Sequence, residues 1–174
     1  MRCLLDKVVA RYTLTGLLKL AEGATVTREE LFSLDLFARA ESISLRLYMA
    51  PSSARVLQRL AELPRYSTIV HRFQDCVGVV FPTRYYKRWT RRLRDCGFGR
   101  EDAAVLALAT FGTSEESTIL GMHFVATYDQ PLINNWTVQE EGLRARLETM
   151  QRDIPVPYCD SSLPEVLRPE QIVG

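Results

Sequence analysis

Short apolar stretches alternate along the chain with longer segments whose apolar residues recur at helical spacing. Residues 2–5 predict a short strand that ends directly before a carboxylate, Asp6. Residues 7–21 carry apolar side chains every three or four positions, which predicts a helix that ends near Gly23. A strand followed at once by an acid and a helix is therefore the first unit of the chain.

The same alternation continues to the end of the chain. A capping-box pattern at Thr27 predicts a helix to about Glu41, and residues 43–50 then alternate apolar and polar side chains as a strand does. The remaining predicted elements are a helix from Pro51 to about Leu63, a weaker strand over 76–81, a helix from Pro82 to about Asp95, a helix over 100–111 closed by Gly112, a strand over 122–127, a helix over 137–152 and an edge strand over 154–158.

Strands separated by helices imply parallel crossover connections and a sheet covered on both faces. The predicted fold class is therefore α/β, a three-layer α/β/α sandwich around a central, mainly parallel sheet. We expect one domain over residues 1–160 and a peripheral carboxyl-terminal tail over 161–174, where Pro, Ser and Glu are frequent.

Composition narrows the class of protein but does not identify a ligand. The 174 residues are 47% hydrophobic and 25% charged, and the formal net charge is +1, so no global field selects nucleic acid or membrane. No apolar run approaches the roughly 18 residues of a membrane span. Four widely spaced cysteines and the lack of a signal-peptide pattern predict a cytoplasmic protein with reduced thiols.

Two aspartates stand where an α/β sheet usually binds ligands, outside the carboxyl ends of its strands, and a third opens a nearby predicted helix. Asp6 follows the first predicted strand, Asp129 follows the strand over 122–127, and Asp102 lies in the first turn of the helix over 100–111. Clustered acids repel one another, and their hard oxygens suit Mg²⁺ or Mn²⁺. The alternative for each acid is structural, because Asp6 can cap the following helix and Asp102 can interact with its own helix dipole.

The segments that carry these acids resemble the successive motifs of the PIN-domain family. They are "LLDKVV", "GREDAAVLALATFG" and "FVATYD", and the closing "DIPVPYCDSSLPEVL" is similar to the family's last strand and turn. The resemblance covers about residues 1–165, and each motif is short. It implies a small α/β/α fold and a divalent-metal-dependent ribonuclease, which in this family is often the toxin of a toxin–antitoxin pair.

On this resemblance, Asp6, Asp102 and Asp129 are the expected ligands of Mg²⁺ or Mn²⁺, and Thr127 is expected to orient a water or a ligand. These four residues are the expected catalytic set. The metal would polarise a phosphate and generate hydroxide from bound water. The resemblance also implies RNA as substrate, a small antitoxin or other protein partner, and a homodimer.

The acidic set is incomplete by the family's pattern. Val8 stands where the family usually has a polar residue two positions after the first Asp, and the helix from Pro51 lacks the usual Glu and carries Arg55 instead. Glu41 precedes its strand and should lie at the opposite edge of the sheet, and Glu62 comes about one turn too late. Glu115 and Glu116 can reach the site from their loop, but a solvated loop is the favoured interpretation.

A basic helix lies directly before the Asp102 helix. Residues 83–100 hold seven basic side chains and one acid, a local net charge of +6. The cations at helical spacing are Arg84, Lys87, Arg88, Arg91 and Arg92, and Arg84, Lys87, Arg88 and Arg91 are the expected RNA contacts. A plain solvated face is the alternative. Tyr85, Tyr86 and Trp89 can stack on bases, but their spacing favours a place in the core.

Two further functions remain open besides the ribonuclease. A catalytically silent PIN-like module that binds RNA or a protein fits the missing Glu and Val8. An unrelated nucleotide-binding α/β domain is a weaker alternative, because no Gly-rich phosphate loop follows the first strand.

Overall fold

A computed structural model describes residues 1–115 and 117–174 of the chain. The main sheet has five strands, and all four pairings between neighbours are parallel. In spatial order its strands are β3 (Val77–Val79), β2 (Arg46–Met49), β1 (Arg2–Leu5), β6 (Phe124–Ala126) and β7 (Glu165–Leu167). A separate two-stranded antiparallel ribbon pairs β4 (Phe81–Pro82) with β5 (Gly112–Thr113).

Eight α-helices connect and flank these strands within the described residues. They are α1 (Lys7–Ala21), α2 (Arg28–Arg39), α3 (Pro51–Ala61), α4 (Ser67–Cys76), α5 (Tyr86–Asp95), α6 (Arg100–Phe111), α7 (Gln130–Gln151) and α8 (Pro169–Val173). None of the helices in this part of the chain is both long enough and apolar enough to cross a membrane.

The strands separate two apolar cores, because successive side chains of a strand point to opposite faces of the sheet. On β1, Leu4 packs into a core formed with α5, α6 and α7, whereas Cys3 and Leu5 pack into a core formed with α1 to α4 and α8. On β2, Tyr48 faces the first core and Met49 the second. The three-layer α/β/α sandwich predicted from the sequence is thus confirmed.

Local sequence explains where α2 begins and where α1 ends. The hydroxyl of Thr27 accepts a hydrogen bond from the Glu30 backbone N–H, and the Glu30 carboxylate accepts one from the Thr27 N–H at 2.7 Å, which is the predicted capping box. Gly23 has a φ of +68°, a left-handed conformation that ends α1 without steric cost.

The strand order creates a switch point between β1 and β6. The chain runs outward from β1 to β2 and β3, and then returns to place β6 and β7 on the other side of β1. Connections on the two sides of a switch point diverge and leave a crevice at the carboxyl ends of the strands, where open α/β sheets bind ligands. Asp6 and Asp129 follow the two strands that meet there.

The carboxyl-terminal expectations were wrong in two places. Residues 154–158 are not an edge strand, because Pro155 and Pro157 have no N–H to donate and the Tyr158 N–H bonds back to the Pro155 carbonyl at 2.9 Å. Residues 161–174 are not a peripheral tail. They contain β7, which pairs with β6 and buries Val166, and α8, whose Ile172 packs into the core.

Other boundaries moved without changing the fold class. The helix predicted over 137–152 begins at Gln130, and the helix predicted from Pro82 begins at Tyr86. Helix α4 was not predicted at all. It buries Val70 and Phe73 and partly buries Ile69, but most of its other side chains are polar, so its apolar pattern is short and weak.

Candidate functional site

Asp6 both caps a helix and faces the switch-point crevice. Its backbone N–H extends the sheet by donating to the Ala126 carbonyl at 3.0 Å, and its Oδ1 accepts a hydrogen bond from the Lys7 N–H at 2.6 Å, which caps α1. The side chain is almost fully buried, at 8% exposure, yet it lines an open cavity. The capping role expected of it is thus confirmed and coexists with a place in the crevice.

Thr127 links the two aspartates that follow neighbouring strands. Its fully buried hydroxyl donates to Asp6 Oδ2 at 3.0 Å and accepts from the Asp129 backbone N–H at 3.0 Å. Asp129 in turn caps α7, because its Oδ1 accepts from the Leu132 N–H at 3.1 Å. One hydroxyl therefore fixes the carboxyl ends of β1 and β6 relative to each other and orients the Asp6 carboxylate.

The third aspartate comes from the other side of the crevice. Asp102 lies in the first turn of α6, and the carboxyl group sits close to Gly99, where a Cβ atom would approach Asp102 Oδ2 to 3.2 Å. One cavity of about 560 Å³, the acidic cavity, is lined by Asp6, Asp102 and Asp129. The structure thus brings together the three acids that the sequence singled out.

Burial and mutual repulsion disfavour the charged forms of two of these acids. The pKa of Asp6 is raised mainly by burial and also by the charge of Asp129, although the hydrogen bond from Thr127 opposes the shift. The pKa of Asp102 is raised by burial first, and then by the charges of Asp129 and Asp6. A bound cation would relieve this cost, because it stabilises carboxylates in their charged forms.

The cavity also holds a fourth carboxylate and two cations. Glu101, beside Asp102 in the sequence, forms an ion pair with Lys7, and this hydrogen bond raises the pKa of Lys7. Arg55, from α3, lines the cavity as well and is exposed to solvent. The six charged side chains together have a formal net charge of −2.

Sequence reasoning did not assign a role to Glu101 or to Lys7, although each is adjacent to a predicted site aspartate. That adjacency is the signal that could have found them, since neighbours in a helix's first turn stay near the same cavity. Val8 also lines the cavity, so the polar side chain that the PIN pattern has at this position is replaced by an apolar wall.

The other acids considered from the sequence lie elsewhere. Glu41 lines a different cavity of about 800 Å³ that also contains Arg46 at the start of β2, the opposite edge of the sheet from Asp6. Glu62 lines a third cavity, between α3 and α4. Glu115 is exposed and does not line the acidic cavity. Glu116 lies outside the described residues.

The acids share a cavity, but their carboxylate oxygens do not converge on a common position. Within residues 1–115 and 117–174, no three His, Cys, Asp or Glu side chains are arranged to hold a metal ion between them. The hydrogen bonds of Asp6 are one reason for this arrangement. Each of its carboxylate oxygens accepts one hydrogen bond and is oriented toward that donor. The donor set is chemically suited to a hard divalent cation, which prefers carboxylate oxygens and retains several waters.

The five basic residues at helical spacing form a basic stripe, which divides into two groups by the contacts that its members make. The stripe consists of Arg84, Lys87, Arg88, Arg91 and Arg92. Arg84 lies over the rings of Tyr85 and Tyr158, with its Cζ 4.8 and 5.0 Å from their centres. Arg88 pairs with Asp153 at 3.8 Å, and Arg92 donates to a backbone carbonyl of α7 at 3.2 Å. Arg88 and Arg92 therefore join α5 to the end of α7 and the turn after it, while Arg84, just before α5, contacts the short 3-10 helix at Tyr158.

The second group makes no such contacts with the described residues. Lys87 and Arg91 are exposed, and neither has an ion-pair partner in the part of the chain that the structure describes. The aromatic residues of the same helix follow the core interpretation, since Trp89 is fully buried and Tyr85 packs on Phe111. Tyr86 differs, because it lines the acidic cavity and so joins the start of α5 to the site.

No protein-family model matches this chain, and neither the curated proteins nor the solved structures contain a match to it.

Proposed function

We propose that this protein is a PIN-like ribonuclease that depends on Mg²⁺ or Mn²⁺, with Asp6, Asp102 and Asp129 as the residues that bind the metal. The observation that carries the proposal is the meeting of these three carboxylates in one cavity at the switch point of a parallel sheet. Their raised pKa values, in Asp6 and Asp102, support a site that gains from a bound cation.

The residues fit such an ion by the kind of atom they offer. Mg²⁺ is usually held by one or two protein carboxylates and several waters, so a site of three separated carboxylates does not need to close into a cage. When bound, the ion would supply Lewis-acid activation of a phosphodiester and of a water molecule.

The protein's own residues would position the reacting groups. Thr127 holds the Asp6 carboxylate by a hydrogen bond and keeps Asp6 and Asp129 in register. Lys7 forms an ion pair with Glu101, and its charge also lowers the pKa of the neighbouring Asp6. Lys87 and Arg91 offer exposed charges to the phosphates of a single-stranded RNA, and Tyr86 lies between that surface and the cavity.

Cleavage of RNA is the direct test. Labelled single-stranded RNA is incubated with the wild type, with Asp129→Asn and with the exposed control Asp95→Asn, in Mn²⁺ and in EDTA. Asn caps a helix as well as Asp does, so Asp129→Asn keeps the start of α7 and removes a charged ligand. We expect cleavage by the wild type and the control in Mn²⁺ only. Cleavage that survives EDTA or Asp129→Asn would overturn the proposal.

A second function is favoured by a specific observation. Arg55 places a cation in the cavity, and the carboxylates are not closed around a common point in the described residues. Both features support a catalytically silent module that binds RNA or a protein. Metal-independent RNA binding by a wild type that cleaves nothing is the result that would select this alternative.

The resemblance to PIN domains adds two partners to the proposal. They are a second copy of the chain and a small inhibitory protein, as in the toxin of a toxin–antitoxin pair. Light scattering on the purified chain tests the dimer, since it gives the molar mass of the particle in solution.

A further inference from the structure

Arg55 is the cation of the acidic cavity for which the described residues provide no ion-pair partner. It lies on α3, one turn after the start of that helix, and it lines the cavity together with Pro51, Ser52 and Ser53 of the first turn. Lys7, the other cation, is held by Glu101. Arg55 forms no ion pair with any residue that the structure describes, although four carboxylates line the same cavity.

The start of α3 is also uncapped. The residue at the N-cap position is Ala50, which has no side-chain acceptor, and the first helical residue is Pro51. The N–H groups of Ser52 and Ser53 are therefore left without a side-chain cap at the wall of the cavity. Unsatisfied N–H groups and the positive end of a helix dipole favour an anion, and here they stand beside a guanidinium group.

Formal charges show what Arg55 changes for an incoming anion. Without Arg55, the four carboxylates and Lys7 total −3, and one divalent cation leaves −1. With Arg55 the same cavity totals zero when one divalent cation is bound. A phosphodiester, which carries one negative charge, would be repelled in the first case and not in the second.

We propose that Arg55 binds the phosphodiester of the substrate in the cavity that the aspartates also line. The assignment rests on the proposed function for the aspartates' ion, but not on cleavage. The guanidinium group offers a planar pair of N–H donors that matches two oxygens of a phosphate, which an ammonium group does not. The substrate is thereby bound by its phosphodiester, so the cavity recognises the nucleic-acid backbone and not the base.

The test compares two arginines of the same helix. Arg59 is exposed and lies one turn after Arg55, but it does not line the cavity. The probe is a 2′-O-methyl uridine dinucleotide, which has a single phosphodiester, and its affinity is measured by NMR titration in Mg²⁺. A second probe has the same bases and an uncharged methylphosphonate link. The proteins are the wild type, Arg55→Ala, Arg55→Lys and Arg59→Ala.

We expect Arg55→Ala to weaken binding of the charged dinucleotide by about tenfold to a hundredfold, the effect of losing hydrogen bonds to a charged group. Arg55→Lys should fall between the wild type and Arg55→Ala, and Arg59→Ala should match the wild type. The uncharged dinucleotide should bind all four proteins equally weakly.

Two results would overturn the assignment: equal affinity of Arg55→Ala and Arg59→Ala for the charged probe, or no binding of that probe to the wild type. Calorimetric titration of Mn²⁺ into the same proteins separates this failure from that of the ribonuclease. If Mn²⁺ binds and Arg55→Ala has no effect on the dinucleotide, only the role of Arg55 is lost. If Mn²⁺ does not bind but Arg55→Ala weakens the dinucleotide, the metal site and the charge balance that includes it are wrong, and Arg55 contacts the phosphate without an ion.

Discussion

Replacing Thr127 by Val removes the hydroxyl that joins Asp6 to Asp129 and changes little else. The two side chains have the same shape, both suit the end of a strand, and Thr127 is fully buried. The substitution deletes the 3.0 Å bond to Asp6 Oδ2 and the 3.0 Å bond from the Asp129 N–H. It therefore tests whether this hydroxyl organises the carboxyl ends of β1 and β6.

The magnitude follows from the two bonds. The bond to Asp6 involves a buried charged acceptor and is worth about 1.5–3 kcal/mol, and the bond from the Asp129 N–H is neutral and worth about 0.5–1.5 kcal/mol. We expect Thr127→Val to lower the free energy of unfolding by about 2–4 kcal/mol at neutral pH. Thr110→Val is the matched control, because Thr110 is also fully buried but its hydroxyl bonds only to the Leu106 carbonyl of its own helix.

The loss should depend on pH. Burial raises the pKa of Asp6 in the folded protein, so its contribution to stability is fully present below the unfolded pKa and is lost as the pH rises through the folded pKa. The hydrogen bond from Thr127 lowers that pKa, and without it the folded pKa rises further. The destabilisation by Thr127→Val should therefore be largest at neutral pH and shrink as the pH falls through the folded pKa of Asp6, which burial raises above its ordinary value.

Urea denaturation at several pH values measures both effects. A loss of stability for Thr127→Val no larger than that for Thr110→Val at neutral pH would refute the linking role of Thr127. So would a loss of unchanged size from neutral to acidic pH, because the Asp6 charge would then take no part in it.

The remaining predictions concern charge in and around the cavity. Asp102→Asn should raise the thermal midpoint in metal-free buffer at neutral pH, because burial and the neighbouring aspartates raise the pKa of Asp102, and it should gain less from added Mn²⁺ than the wild type does. Arg55→Glu should tighten Mn²⁺ binding by about tenfold or more because it replaces a repelling cation by a carboxylate, whereas Arg59→Glu should not. Lys87→Gln and Arg91→Gln should each reduce the salt dependence of single-stranded RNA binding by about 0.7 in the log–log slope.

Each of these has a measurement that can contradict it. Differential scanning fluorimetry with and without Mn²⁺ checks Asp102→Asn, and a parallel shift of mutant and wild type by the metal would show that Asp102 is not a ligand. Calorimetry checks the glutamate variants, and equal affinities would place Arg55 too far from the carboxylates to matter. Fluorescence anisotropy over a range of salt checks Lys87 and Arg91, with Arg92→Gln as the internal control, because Arg92 is already engaged by α7.

The convergence of the aspartates could be predicted because it follows from topology. Asp6 and Asp129 each end a short apolar strand and begin a helix, and parallel strands bring such ends to one edge of the sheet. Asp102 is harder to place from sequence alone. It is not at a strand end, and its position in the first turn of a predicted helix does not by itself bring it to the same cavity.

What could not be predicted depends on tertiary packing. Helix α4 carries only two fully buried side chains, so its period was too weak to detect. Strand β7 has three residues and a single buried side chain, Val166. It is a strand because it pairs with β6, and its own sequence is too short to show an alternating pattern. The five cations of the basic stripe recur at the same helical spacing, so the sequence does not distinguish them. Contacts with α7 and Tyr158 involve some of these side chains and leave Lys87 and Arg91 exposed.

Calorimetric titration of Mn²⁺ into the metal-free wild type and into Asp6→Asn tests the central claim most directly, namely that the aspartates of the switch-point cavity bind a divalent cation. Asn preserves the cap of α1, so the variant should stay folded, and a melting curve verifies this. The account predicts saturable binding to the wild type and its loss in Asp6→Asn. Absence of binding to the wild type, or equal binding to a folded Asp6→Asn, would contradict it.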